Sequence, residues 1–304
     1  MTALGWIGPG FLLVSIAAGT LADVPRRHPR LILGGYHVMA ADFHVHSFPL
    51  SWATLAPWDT VMEARRQRLD AIAIVGHNHV WVSKVARWFS RLTGGPLVLT
   101  GEEIVSAHYH LLALGIDSTI DWRQTAASAI ERIHRQGGVA IAAHPLAHSW
   151  PAYNAQARRA LDGAEVLHPI AYASGDLAGQ LREFYGSAPL TAIGDSDYHG
   201  LGPVGFCRTY VFTPEETEQG ILDALRRRRT VVYDRGGRVY GDPALIRLAA
   251  ADGRLPQIAI AVAPNGGFLS LLSRIAAILG LTVAAIAGFT TATIPKDGAN
   301  AHEL

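Results

Sequence analysis

Short apolar runs alternate with amphipathic stretches over most of this chain, and that alternation restricts the possible folds more than any other feature. The intervening stretches, such as residues 57–69 and 122–136, have the apolar spacing of helices. Strand–helix alternation of this kind predicts an α/β fold with a mainly parallel sheet, closed or nearly closed, within residues 41–249. The strands are expected over residues 39–45, 71–75, 97–100, 111–116, 139–143, 164–167, 190–193 and 207–212.

Both ends of the chain are apolar. Residues 1–22 carry no charged side chain, and residues 268–294 carry only Arg274. A helix needs about 20 apolar residues to cross a bilayer. We therefore predict a transmembrane or signal segment over residues 1–23 and a transmembrane helix over residues 268–294. A buried core helix is the alternative for each.

Arginines flank the two apolar segments on their inner sides. Arg26, Arg27 and Arg30 follow the first segment, and Arg254 precedes the last. The positive-inside rule then predicts a membrane-associated chain with its central part on the cytoplasmic side. Residues 24–40 and 250–267 are predicted to be linkers, and residues 295–304 a polar tail.

Charge and cysteine content exclude some kinds of site. The formal net charge is only +1, so no global field attracts nucleic acid, and we expect no stable binding to duplex nucleic acid. Cys207 is the only cysteine, which rules out an internal disulfide and a cysteine-rich zinc site. The 14 histidines are more informative, because histidine is the commonest metal ligand.

Histidine and carboxylate side chains occur where five predicted strands end. Residues two apart on a strand share a face, so His44 and His46 point the same way, with Asp42 behind them. In α/β barrels the chemistry is located at the carboxyl ends of the strands. The other four groups are His77 with His79, Glu102 and Glu103 followed by His110, His144 before Pro145, and Asp195 with Asp197 and His199.

Such a set of side chains is typical of a metal centre. A single histidine at a strand end is usually a structural residue, but five strand ends with metal-ligand side chains are not explained that way. Imidazoles and carboxylates without a thiolate suit zinc, manganese or iron. Their number exceeds the ligand set of one tetrahedral ion, so the sequence predicts a multinuclear site.

The order of these motifs resembles that of a known family. His-x-His, a strand-end His, Gly-x-Glu, His, Ala-His-Pro and Ser-Asp-x-His occur in this order in the PHP (polymerase and histidinol phosphatase) superfamily of phosphoesterases. The resemblance covers roughly residues 41–247 and excludes both apolar ends. It implies a distorted (β/α)7-type barrel, up to three divalent metal ions and phosphoester hydrolysis.

The resemblance also implies a ligand set. The first metal would be held by His44, His46, Glu103 and Asp197. Glu103 would bridge to a second metal. The remaining implied ligands are His110 and His144 for the second metal, and His77 and His199 for the third.

Departures from the family pattern affect the third metal. Ser51 and Trp52 stand where relatives commonly have Asp or His, and Gly76 stands where they have Asp. His79 is a possible substitute ligand. We therefore expect two metals (zinc, manganese or iron), with a third position weak or empty.

Further roles are assigned to residues around the expected metals. His199 or His77 is expected to protonate the leaving oxygen, and Asp197 is placed with them as catalytic. Asp42 is expected to orient a ligating imidazole. The expected substrate contacts are Arg208, as a phosphate clamp with a surface ion pair as its alternative, and His168, as a pocket-lining residue.

The leading functional hypothesis is a metal-dependent phosphoester hydrolase. A metal-activated water would attack a small phosphorylated molecule, a nucleotide or, as in exonucleases, an oligonucleotide end. A membrane-tethered module that binds metal or phosphate with little or no turnover is the alternative, because Ser51 and Gly76 depart from the family pattern. A hydrolase of C–N bonds on the same type of barrel is a third hypothesis.

Overall fold

The structure is a computed structural model that describes residues 3–22, 30–49, 51–200, 202–260 and 268–292. The chain divides into two compact units. One comprises residues 27–263, and the other combines residues 1–26 with residues 264–304.

The larger unit contains all the described strands. In chain order they are β1 (Leu31–Leu33), β2 (Tyr36–Val45), β3 (Ala71–Ile74), β4 (Gly76–His77), β5 (Leu97–Leu99), β6 (Gly101–Val105), β7 (His110–Leu114), β8 (Val139–Ala142), β9 (Gly163–Leu167), β10 (Thr191–Gly194), β11 (Thr209–Thr213), β12 (Thr230–Tyr233) and β13 (Val239–Gly241).

The α-helices of the two units are numbered together along the chain. They are α1 (Ala3–Ala22), α2 (Pro57–Arg66), α3 (Trp81–Thr93), α4 (Ala126–Arg135), α5 (Ala155–Ala160), α6 (Gly175–Gly186), α7 (Glu218–Arg226), α8 (Pro243–Asp252), α9 (Arg254–Ile260) and α10 (Phe268–Ala292). Two short 3-10 helices occupy Trp150–Ala152 and Pro169–Tyr172.

The predicted α/β class is confirmed, but the strands form two mixed sheets rather than one mainly parallel sheet. The first sheet has the order β13-β12-β11-β2-β3-β5, with β1 paired to β2, and the second has the order β10-β9-β8-β7-β6-β4. Strand β7 is antiparallel to both β6 and β8, and β11 is antiparallel to β2 and β12. The β6–β7 connection explains part of the difference, because four residues are too few for a parallel crossover.

Two stretches of chain pass directly from the first sheet to the second. Strand β3 pairs in the first sheet, and after Val75 the chain continues as β4 in the second. Strand β5 likewise continues after Thr100 as β6. Both passages lie just before candidate ligands, so they bring His77 and Glu103 next to the strand end that carries His44 and His46.

An apolar core shared by the two sheets fills the interior. Residues of both sheets and of α7 contribute to it, among them Phe43, Leu99, Leu112, Ile141 and Ile221. Helices α2 and α3 cover the outer face of the first sheet, and α4, α5 and α6 cover that of the second. Because apolar side chains fill the interior, the candidate metal ligands lie together at the strand ends.

Part of the predicted linker 24–40 belongs to the first sheet. Gly34 and Gly35, which favoured a linker in the sequence, have φ of +56° and +82° and form the turn between β1 and β2. A two-residue hairpin turn of this kind requires positive φ at both positions. Residues 23–29 lie outside the described part of the chain. In the second predicted linker, α8 and α9 reach Ile260, and residues 261–267 also lie outside it.

The smaller unit is a pair of antiparallel helices, α1 and α10. Their backbones approach closely at two glycines: a Cβ on Gly8 would lie 2.6 Å from the backbone nitrogen of Ala284, and one on Gly280 would lie 2.8 Å from that of Leu12. The small residues that interrupt the apolar runs therefore make room for helix–helix contact.

The membrane-spanning prediction for the two ends of the chain is not supported. Among the described residues, no helix combines the length and the apolar character that a membrane span requires. Residue 23 and the predicted tail, residues 295–304, lie outside the described part.

Candidate metal centre

The ends of β2 and β10 bring the first and last sequence motifs together. His44 and His46 lie at the end of β2 and are completely buried. The backbone N–H of His46 donates to the carbonyl oxygen of Tyr198 at 3.1 Å, which fixes the loop after β10 against the end of β2. Asp197 and His199 of that loop thereby face the two imidazoles.

Glu103 is the centre of the cluster. Its Oε1 lies 2.8 Å from His110 Nδ1 and 3.4 Å from His144 Nε2. Its Oε2 lies 3.4–3.5 Å from the Nε2 atoms of His44, His46 and His77. The neighbouring Glu102 points to the other side of β6, where its Oε1 accepts a hydrogen bond from the backbone of Ile120 at 2.6 Å.

Asp197 contacts His44 and His46 as Glu103 does, and it adds two further imidazoles. Its Oδ1 lies 3.2 Å from His44 Nε2, 3.1 Å from His46 Nε2 and 3.4 Å from His199 Nδ1. Its Oδ2 lies 3.2 Å from His168 Nε2. The structure therefore brings all eight predicted ligands into one cluster and adds His168, which the sequence placed only in a pocket lining.

Four overlapping groups of side chains in the described part of the chain have donor atoms within 4.8 Å of one another. The predicted third position gains an imidazole, because His46 joins His77 and His199. His168 forms a group with His144 and Asp197. The other two groups are His44 with Glu103 and His144, and His44 with His46 and Asp197.

The donor atoms converge in a way that suits cations. His44 Nε2 and His46 Nε2 are 3.0 Å apart. Asp197 Oδ1 is buried and accepts no hydrogen bond within the described residues, although both imidazole nitrogens are close to it. Neutral imidazoles and carboxylates directed at common points, without a thiolate, fit zinc, manganese or iron.

Electrostatics inside the cluster favour positive charge. Burial alone would lower the pKa of His44, but the carboxylates of Asp197, Glu165 and Glu103 outweigh it and raise that pKa well above its usual value. Burial lowers the pKa of His46 to about 4, so this imidazole keeps its lone pair. Burial opposes ionisation of Glu103, yet the surrounding histidines hold its pKa well below the usual range. The carboxylates are therefore ionised and ready to bind a cation.

Glu165 is the main site residue that the sequence analysis missed. It is fully buried in β9, where its Oε1 accepts from His44 Nδ1 at 2.6 Å and its Oε2 accepts from the backbone N–H of His144 at 2.6 Å. A proton on Nδ1 leaves Nε2 of His44 free to bind metal, which is the usual function of a carboxylate behind a ligating histidine. The signal in the sequence was a glutamate inside an apolar strand.

Asp42 does not have the role predicted for it. Its carboxylate accepts from the backbone N–H groups of His44, Ser196 and Gly205 instead of contacting an imidazole ring. Burial raises its pKa to about 6. Asp42 therefore fixes the loops around the site, and Glu165 is the residue that orients an imidazole.

Arg208 is directed away from the cluster. Its guanidinium donates to the carbonyl oxygens of Gly205 at 3.0 Å and Gln67 at 3.4 Å, and Gln67 follows the end of α2. The predicted phosphate clamp is therefore not in place, because these backbone contacts hold the side chain. Among the described residues Arg208 forms no ion pair, so the predicted alternative is not what holds it either.

The positions that depart from the family pattern are filled differently. A Cβ on Gly76 would lie 2.0 Å from Cε1 of His79, so the ring of His79 occupies the space of a side chain at position 76. His79 stacks on Trp81 and belongs to none of the four donor groups. Ser51 Oγ accepts from the backbone N–H of His77 at 3.2 Å and so positions the strand end that carries this ligand.

Two candidate ligands have an unusual backbone conformation. His144 and Asp197 have φ of +27° and +46°, a region that residues other than glycine rarely adopt. Such conformations cost about 1–3 kcal/mol each and are concentrated at functional sites. Surrounding contacts, including the bond from His144 N–H to Glu165, hold them in place.

Comparisons with known proteins match a segment of the sequence and the fold. Residues 179–230, which include Asp197 and His199, match the family model described as PHP-associated. A two-domain protein from Bacteroides vulgatus, which contains a predicted PHP-like metal-dependent phosphoesterase, matches the structure with a TM-score of 0.56 and 23% identity. The match covers 75% of this chain and 74% of that one. The chain has a PHP-like fold.

A second relative adds sequence similarity without a described activity. An uncharacterized protein of Methanocaldococcus jannaschii is 28% identical over 145 residues, which are 43% of this chain and 82% of that protein. The resemblance to the PHP superfamily inferred from the motifs is thus confirmed by a family model and by the fold.

Proposed function

We propose that this chain is a metal-dependent phosphoesterase that hydrolyses a small phosphorylated molecule, a nucleotide or an oligonucleotide end. The observation that carries the proposal is the convergence of seven histidines on the two carboxylates Glu103 and Asp197. The PHP-like fold supports it, because the similar two-domain protein contains a predicted phosphoesterase of this type.

Bound divalent cations would supply a water of lowered pKa and would neutralise the phosphate oxygens. The residues of the chain then have separate tasks. Glu103 and Asp197 both provide negative charge next to His44 Nε2, and Glu165 holds the His44 ring in the orientation that exposes Nε2.

His199 and His77 are suited to the proton transfer. Their side chains are partly exposed, at 34% and 27%, whereas His44 and His46 are completely buried. An imidazole at the solvent-facing edge can contact the leaving oxygen of a bound ester and exchange protons with water. His199 is the stronger candidate, because it is the more exposed of the two and its Nδ1 lies 3.4 Å from Asp197 Oδ1.

The test is an assay of the full-length chain with Mn²⁺ or Zn²⁺ on p-nitrophenyl phosphate and bis(p-nitrophenyl) phosphate. Hydrolysis that disappears in Asp197→Asn and His144→Ala but persists in Asp223→Asn, an exposed position on α7, is the expected result.

Other outcomes separate the competing hypotheses. Tightly bound metal without hydrolysis of any phosphoester would favour the metal-binding module. Hydrolysis of amides or cyclic imides instead of phosphoesters would favour the C–N hydrolase. Turnover that is unaffected by both substitutions would overturn the assignment of the site.

A further inference from the structure

A cavity leads away from the metal centre on the side of His110 and His144. These two candidate ligands line a small cavity of about 190 Å³. A larger cavity of about 600 Å³ shares residues 106–109 and His148 with it. Because they share these lining residues, the two cavities adjoin, and they are called the groove below; its smaller part is lined by His110 and His144.

Three loops form the larger part of this groove. They are the β6–β7 loop, the segment that leads into α4, and the segment after β8 that contains His148. Its volume lies within the roughly 300–1,000 Å³ of small-molecule sites. A molecule whose phosphate lies at the metals could therefore extend its organic part along the groove.

Trp122 gives the groove an aromatic wall. Its side chain is 39% exposed, and the guanidinium carbon of Arg123 lies 5.0 Å from the centre of its ring. Pro151 and Ala152 add apolar surface opposite the loop of residues 106–109. An exposed indole beside a guanidinium is a surface on which planar rings stack.

The described residues that line the groove include the cation Arg123 and no carboxylate. Among the described residues that line the two cavities, none is Asp or Glu, whereas Arg123, His108 and His148 are present. Gln124 also lines the groove, and its buried Nε2 has no acceptor within the described residues. The surroundings therefore suit an electron-rich ring attached to an anionic phosphate.

We propose that this groove binds the leaving group of the substrate, and that Trp122 selects phosphoesters whose alcohol carries a planar aromatic ring. The proposal rests on the proposed phosphoesterase function. It adds a specificity residue that lies outside the metal cluster.

The test compares two esters that differ in the ring alone. Benzyl phosphate and cyclohexylmethyl phosphate have the same carbon skeleton and a primary alcohol as leaving group, but only the first has a planar ring. For the full-length chain with Mn²⁺, we expect kcat/KM to favour benzyl phosphate by roughly 10-fold. In Trp122→Leu this ratio should fall to about 1 while hydrolysis of cyclohexylmethyl phosphate persists.

Two control variants sharpen the result. Trp122→Phe should keep most of the preference, and Trp88→Leu, at an exposed position on α3, should keep all of it. A wild-type ratio near 1 overturns the proposal without any variant, and so does a ratio that Trp122→Leu leaves unchanged. If the wild-type chain hydrolyses neither ester but does hydrolyse p-nitrophenyl phosphate or bis(p-nitrophenyl) phosphate, the leaving-group site alone is overturned. If it hydrolyses none of the four, the phosphoesterase function is overturned as well.

Discussion

The two sides of the metal cluster differ in their contact with solvent. His44, His46 and Glu165 are completely buried, whereas the side chains of His110 and His199 are 36% and 34% exposed. The buried side is fixed by hydrogen bonds and by the apolar core shared by the two sheets, so it can determine where cations bind. The exposed side faces the groove and solvent, so it can meet a substrate. We therefore assign the buried ligands to holding the metal alone, and the exposed ligands also to handling the ester.

The largest effect is expected when the charge of Glu103 is removed, because this residue contacts imidazoles on both the buried and the exposed side. Glu103→Gln keeps the shape of the side chain but removes the negative charge that contacts five imidazoles. We expect kcat/KM for a phosphoester to fall on the order of 10³-fold, together with loss of bound metal. Elemental analysis and steady-state kinetics measure both. Glu131→Gln, an exposed position on α4, is the matched control and should have no effect.

A direct test of the comparison replaces one histidine from each side. His46→Gln should release metal, because His46 is buried and belongs to two donor groups. His199→Gln should retain most of the metal and lower kcat by roughly 100-fold, since a proton donor is lost. Metal titration and kcat are measured for both variants. Equal metal loss in the two would contradict the division of tasks.

Glu165 tests whether the buried side depends on its supporting hydrogen bonds. Glu165→Gln removes the carboxylate that holds the His44 proton on Nδ1. The expected effect is a 10- to 100-fold loss of metal affinity, approximately the usual effect of such a change. Glu183→Gln on the exposed surface of α6 is the control. An unchanged metal Kd would mean that the His44 ring needs no such support.

Glu102 sharpens the contrast with Glu103, because its carboxylate is buried without histidines around it. Burial raises its pKa to about 7 from an ordinary 4.5. A raised carboxyl pKa stabilises the fold at low pH, and this contribution is lost as the pH rises from about 4.5 through about 7. Glu102→Gln should therefore gain on the order of 2 kcal/mol in unfolding free energy relative to wild type between pH 5 and pH 8. Urea denaturation at both pH values measures it, and a constant difference would contradict the expectation.

The smallest effect is expected at Arg208, which lies outside both sides of the cluster. Arg208→Lys should change KM for a phosphoester by less than about 2-fold, because the guanidinium is bound to backbone carbonyls. A phosphate clamp would lose its bidentate contact and give a much larger increase. Initial-rate kinetics distinguish the two.

The sequence predicted which candidate ligands come together because their positions depend on local rules. Strand ends deliver alternate side chains to one edge of a barrel, so His44, His46, His144 and Asp197 could be identified from spacing. The position of the glutamate in the Gly-x-Glu motif also indicated that Glu103, rather than Glu102, faces the histidines. Glu165 was missed because its function depends on β9 pairing with β8 and on its side chain reaching His44 of the other sheet, a tertiary relation that spacing does not contain.

The strand arrangement was harder to predict for a related reason. Val75 and Thr100 interrupt strands only by one residue, and nothing in their sequence indicates a passage between sheets. Gly34 and Gly35 have a local signal that fits either a linker or a hairpin turn, and only pairing of the flanking strands decides between them. The groove next to Trp122 combines three distant loops, so no single segment predicts it.

The passage of strands between the two sheets gives bound cations a mechanical role as well. His44 and His46 lie in or next to the first sheet, and Glu103, His110 and His144 lie in or next to the second. Ions held among these side chains would therefore cross-link the two sheets. Any hinge-like opening of one sheet against the other would have to break ligand bonds. The metal centre would then hold the two sheets together. The rigidity of the domain would depend on the same atoms that perform its chemistry.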